Sequence, residues 1–127
     1  MIREIEAIPS IVSLAMGRSP GGELTFAYAE VLDVIKICTR NGIAVLGVET
    51  LLVRSDGYYA SGSSDYDLQI TQRWRIIRAD DWGEYVIENN RLAEESVRRN
   101  PTGDEHVYIL TTVSWSEFCE TRKATRR

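Results

Sequence analysis

Residues 24 to 53, LTFAYAEVLDVIKICTRNGIAVLGVETLLV, constrain the fold more than any other stretch of this chain. Leu24, Ala27, Tyr28, Val31, Leu32, Ile35 and Cys38 recur at spacings of three and four, the pattern of a helix burying one face. Ser19-Pro20 suits the start of that helix, and Asn41-Gly42 suits a left-handed cap at its end. The apolar run from Ile43 to Val53 follows with almost no loop and reads as a buried strand. Gly47 and Glu49 interrupt it. Glycine weakens a strand interior unless something must come close, and a carboxylate there wants a partner. Gly47 therefore marks either a close approach by a helix or loop, or a β-bulge that twists the strand.

The remaining elements follow from their own periodicities. IPSIVSLAMGRSP suits either a short helix on the core or an irregular lead-in. SDGYYASGSSD is rich in Ser, Gly and Asp and predicts turn and loop, with at most a short strand around Tyr58 and Tyr59. In DLQITQRWRII, Leu68, Ile70, Trp74 and Ile76 alternate with Gln69, Thr71, Arg73 and Arg75, which predicts an antiparallel strand with one wet face. DDWGEYVIENNRLAEESVRRNP predicts a second helix, opened by a capping-box-like Asp81 and Glu84 and ended at Asn100-Pro101. Its buried stripe is Tyr85, Asn89, Leu92 and Ser96, with Val86, Ala93 and Val97 beside it. HVYILTTVSW is β-branched and aromatic, hence a third strand. The order predicts an α+β fold: a mostly antiparallel sheet of three or more strands with two main helices packed on one face. One domain is expected over residues 1–127, with 1–20 as a lead-in and 116–127 as a partly disordered basic tail that adds a helical turn.

Composition enters as a bound on partners. The 127 residues are 43% apolar and 27% charged, as in an ordinary globular chain with a real core. MIREIEAIPS has charges within its first six residues and no long apolar core, unlike a signal peptide or membrane span, so a cytoplasmic location is expected. Cys38 and Cys119 share no metal-ligand spacing and are expected as unbonded thiols. Net charge is −4, and the final RKATRR carries four positive charges, so the rest of the chain stands at −8. An acidic body argues against binding a phosphate backbone, although the tail itself fits either a solvated end or a nucleic-acid arm.

A search for chemistry returns little. His106, at the start of the third strand, suits a surface or satisfied histidine better than a catalyst. No second His or paired Cys completes a zinc site, and no cofactor or metal is expected. SPGGE lacks the lysine and the preceding strand of a phosphate loop and suits a helix lead-in. Asp80-Asp81 and Glu94-Glu95 suit a helix start and a solvated face better than a carboxylate dyad. In QRWR, alternation puts Trp74 in the core and the arginines in water, which needs no RNA.

What stands out is the segment from Ser55 to Gln72, which holds Asp56, Asp65 and Asp67 and no basic residue. With Tyr58, Tyr59 and Tyr66 these form a candidate partner-binding set, since Tyr supplies contact area at low entropy cost and Asp complements a basic partner. The bland alternative has the tyrosines plugging the end of the sheet while the aspartates solvate it. Both readings stand on the sequence.

Several of these residues carry a resemblance. GIAVLGVETLL after a helix, Tyr66-Asp67 and Trp74 on a strand, and Trp82-x-x-Tyr85 opening a second helix resemble the immunity protein 40 family of bacterial polymorphic toxin systems. The likeness runs roughly from Ala29 to Val113. Val45, Leu46 and Gly47 match the family's Ile-Leu-Gly-Gly-Asp strand, with Val48 and Glu49 in place of its second Gly and its Asp. Tyr66-Asp67 and Trp74 are similar to its Tyr-Asp-x-Trp strand with a longer gap, and Tyr85, Ala93 and Ser96 fit its second helix. The resemblance implies a non-catalytic cytoplasmic inhibitor that binds and neutralises a cognate toxin domain. Many such toxins act on nucleic acid, so a basic partner surface is expected. It also implies that Glu49 anchors the end of the sheet, within reach of Tyr66 or Arg75. A small adaptor with an unrelated partner is the alternative. An enzyme using an acidic residue between 49 and 67 is a third reading.

Overall fold

The sharpest local constraint on the chain is Gly42, whose φ of +69° is open to glycine but costly for other residues. In a computed structural model that describes residues 4–65, 78–99, 101–103 and 105–125, it ends helix α2, Tyr28–Arg40, as Asn41-Gly42 leads the sequence to expect. The Asn41 amide donates to the carbonyls of Ile37 and Cys38, and its side-chain Nδ2 donates to Ile37 O at 2.8 Å, so the last helical carbonyls have partners. α2 buries Val31, Val34, Ile35, Ile37 and Cys38. Both cysteines are free thiols, Cys38 buried and Cys119 half-buried.

The start of α2 differs from the sequence expectation. Leu24–Thr25 is a short strand, β2, paired with β1 at Gly17–Arg18. Phe26 then exchanges two backbone hydrogen bonds with Tyr108, at 2.9 and 2.8 Å. Leu24 is buried, but as a strand residue, because its pairing with Arg18 and the bridge from Phe26 to Tyr108 override a spacing that also suits a helix. Ser19-Pro20-Gly21-Gly22 is accordingly the β1–β2 turn, with Gly22 at φ +85°, and not a helix lead-in. Ahead of it, a 3-10 helix at Glu4–Ala7 and helix α1, Pro9–Leu14, place Ile5 and Ile11 in the core. The lead-in is therefore a packed helix.

The sheet has the order β4-β3-β5, all antiparallel, with β3 Ile43–Arg54, β4 Gly57–Asp65 and β5 His106–Ser114. The segment expected as turn and loop is thus mostly strand. Against β5, Val45 pairs with Thr112 and Gly47 with Thr111, which leaves Leu46 as the extra residue of a β-bulge. Gly47 belongs to that bulge. Glu49 lies inside the strand between Ser63 and Ile109, not at the sheet's end, and is half-buried. Its expected partners, Tyr66 and Arg75, lie outside the described residues, as do Asp67 and the strand predicted from Leu68 to Ile76 with Trp74.

Helix α3, Ala79–Arg99, begins earlier than the Asp81–Glu84 box predicts, so Asp80 and Asp81 occupy its first turn, where negative charge suits the helix dipole. α2 and the C-terminal half of α3, with Ala93 and Val97, cover one face of the sheet over Ile43, Val45, Val48, Tyr108 and Leu110. The N-terminal half of α3 continues into a second cluster, where Trp82, Tyr85 and Val86 meet Ala44 and Phe118. Phe118 comes from helix α4, Trp115–Thr125, which stands where the sequence reading expects one turn and a partly disordered tail.

Between its two halves α3 crosses the start of β3, ahead of the point where β4 begins to pair. A row of carboxamides joins them there. Asn90 Nδ2 donates to Ile43 O and Oδ1 accepts from the Val45 amide, both at 2.8 Å, while Asn89 Nδ2 donates to Val45 O at 2.8 Å. Trp82 Nε1 adds a bond to Gly42 O at 2.7 Å. Side-chain amides thus satisfy strand groups that would be costly to bury unpaired.

Candidate functional site

β3 and β4 form a long hairpin, and the candidate residues are spread along it. Its turn is Ser55-Asp56, between the paired Arg54 and Gly57. Neither turn residue has positive φ. Gly57 at φ +149° absorbs the change of direction instead, a conformation that side-chain-bearing residues rarely adopt. Tyr58 pairs with Val53 and Tyr59 with Leu52, so the two rings rise from opposite faces of the strand. They are 40% and 46% exposed.

The tip carries its own electrostatics. Tyr59 donates its hydroxyl to Asp56 Oδ2 at 2.8 Å. That bond, with a smaller contribution from burial, raises the Tyr59 hydroxyl above the usual tyrosine range, because ionisation would break it and set two negative charges together. Arg54 is exposed beside the turn, and exposed Glu105 flanks it through a 2.7 Å bond from the Val53 amide to the Glu105 carbonyl. Neither residue falls within the 55–72 window that draws attention in the sequence, so both were missed. Register alone could have found Arg54, since it faces Gly57 across the turn.

The structure brings together Asp56, Tyr58 and Tyr59 and separates them from Asp65. Asp65 pairs with Gly47 at the other end of β4. At roughly 3.3 Å per residue, that end is about 25 Å from the turn. The six residues are therefore not one acidic loop, and Tyr66 and Asp67 lie outside the described residues.

The charged candidates on α3 resolve into ordinary roles, whereas His106 is not the satisfied histidine the sequence suggests. Glu88, Glu94 and Glu95 pair with Arg91, Arg98 and Arg99 along the exposed face of α3. Arg91 holds Glu88 below the usual carboxylate range, chiefly by direct hydrogen bonding. His106 opens β5 opposite Leu52, and its buried Nδ1 has no hydrogen-bond partner among the described residues. Among the described residues no three His, Cys, Asp or Glu side chains are placed to hold a metal ion. A cleft of about 240 Å³ lies beside the β1–β2 turn, lined by Ile5, Glu6, Glu23, Leu24 and Leu110 among others, and Arg18 pairs with Glu6 there. Among the described residues no helix is long and apolar enough to cross a membrane.

No family model, no curated protein and no solved structure matches this chain.

Proposed function

We propose that this chain is an immunity protein of the kind its sequence resembles: a non-catalytic inhibitor that binds a cognate toxin domain. The observation that carries the reading is the hairpin tip. Two tyrosines are exposed at the tip, one on each face of the strand, and Asp56 fixes the hydroxyl of one of them. Large amphipathic rings on a rigid support are typical anchors of protein interfaces. Among the described residues, Asp56 and Glu105 outnumber the single cation Arg54 at this end of the hairpin, a balance that suits a basic surface, such as the active site of a toxin that acts on nucleic acid. The partner-binding set is then centred on Asp56, Tyr58 and Tyr59, with Asp65 at the far end of β4.

The test is co-expression with the C-terminal domain encoded immediately upstream of this chain. Growth that is lost with that domain alone and restored by this chain is the expected result. No rescue, together with co-purification of a housekeeping complex, would replace the reading with a small adaptor.

A further inference from the structure

Bonds within the fold close two of the sheet's openings. Phe26 takes the outer edge of β5 at Tyr108, and Asn89 and Asn90 take the start of β3. β4 differs. It ends the order β4-β3-β5, and among the described residues no strand pairs with its outer edge. Alternate N–H and C=O groups of such a strand point away from the sheet, ready for another strand. Natural edges are commonly guarded by Lys, by Pro or by bulges. Gly57–Asp65 contains no Lys, Arg or Pro, and its irregularity is a bulge at Ser61, between the pairs Leu51↔Ala60 and Thr50↔Gly62. From Gly57 to Ala60 the ladder is regular.

We propose that the outer edge of β4 from Gly57 to Ser61 receives an extended segment of the toxin domain as an added strand. This rests on the toxin-binding reading above and specifies its geometry. The incoming backbone supplies the hydrogen bonds, which gives affinity with little demand on its sequence. Tyr58 and Tyr59 flank it on the two faces and select for apolar or long-stemmed side chains opposite them. At the turn, Asp56 has acceptor capacity beyond the bond from Tyr59, so a Lys or Arg of the segment belongs there. The bulge at Ser61 bends the strand and sets the limit of the added pairing.

Amide hydrogen exchange, resolved by residue, tests this in the free chain and in complex with the C-terminal domain encoded immediately upstream. In the free chain the amides of residues 57–61 that face away from β3 should exchange fast, while those bonded to β3 are protected. In the complex the outward amides should slow by roughly tenfold or more. Slow exchange of the outward amides in the free chain would mean that the edge is already paired, and would overturn the proposal. A complex that forms but protects other segments and leaves these amides fast would also overturn it, with the toxin reading intact. Failure to form any complex overturns both.

Discussion

Asn90 has no exposed surface, yet its carboxamide uses every hydrogen-bonding group it has. Nδ2 donates to Thr39 Oγ1 and Ile43 O, and Oδ1 accepts from the Val45 amide and from Asn89 Nδ2. Replacing it by Leu keeps the volume roughly constant and strands the Val45 N–H and the Ile43 carbonyl. Each unmade buried bond costs about 1–3 kcal/mol, so Asn90→Leu should lower stability by on the order of 3 kcal/mol. A urea midpoint that falls with an unchanged slope is the expected readout, and a midpoint that stays put would mean water reaches this edge. Asn89 was legible in the sequence because it lies on the buried stripe of its helix. Asn90 was not, since periodicity treats an amide off the stripe as solvent-facing. Tyr59 offers a second test at this scale. Its raised hydroxyl means that whatever the bond to Asp56 contributes is present below the ordinary tyrosine pKa and lost as pH climbs through the raised value. Asp56→Ala should shift one phenol of the tyrosinate absorbance titration downward. An identical titration in both proteins would remove the bond.

The helices show what sequence patterns carry and what they leave out. α2 was legible in its body and its end, from apolar spacing and Asn41-Gly42, but not in its beginning. Leu24 satisfies the helical spacing and the strand pairing alike: Arg18 pairs with it across the β1–β2 turn, and Phe26, two residues on, is held by Tyr108, more than eighty positions away. α4 was missed despite a readable signal. Ser114-Trp-Ser-Glu117 is a reciprocal capping box: the Glu117 amide donates to Ser114 Oγ at 3.1 Å, and the Ser114 amide donates to Glu117 Oε1 at 2.9 Å. Ser114→Ala should cost about 1 kcal/mol through the lost cap. Phe118, 1% exposed among Trp82 and Trp115, should cost about 3–5 kcal/mol on truncation to Ala. Thermal melts of the two variants check the ranking, and a Phe118→Ala melt equal to wild type would mean that α4 does not pack. On α2, burial pushes the Cys38 thiol from its ordinary 9.0 up to about 12. Between those values the unfolded chain releases a proton that the folded chain keeps, so stability should fall as pH rises across that window. Cys38 should accordingly resist thiol reagents near neutral pH until the chain is unfolded. Fast labelling of both cysteines in the native protein would contradict its burial.

At the scale of the whole molecule, the hairpin converts a question about composition into one about distance. In the sequence, Asp56 and Asp65 belong to one acidic stretch, because nothing in a Ser- and Gly-rich run indicates that it will extend. Extended, it sets them about 25 Å apart by strand rise. The screening length at physiological salt is about 8 Å, so charges held that far apart through solvent act on a partner independently. If the toxin docks at the tip, Asp56→Ala should slow association and flatten its salt dependence, and Asp65→Ala should do neither. Truncating an aspartate that becomes desolvated and paired in a complex typically costs on the order of 2–5 kcal/mol, much of it from the partner charge left unpaired. Tyr58→Ala and Tyr59→Ala should act mainly on dissociation, since apolar anchors contribute after encounter. Stopped-flow association at low and high salt, with dissociation measured separately, tells these apart. The opposite pattern, with Asp65→Ala slowing association and Asp56→Ala silent, would move the interface to the far end of β4, where Gly47 and its bulge lie. Equal silence from both would move it off the hairpin altogether. The exposed face of α3 around Ile87, which is 60% exposed, would be the next surface to examine. Its arginines and glutamates already pair with one another and offer a basic partner little net charge.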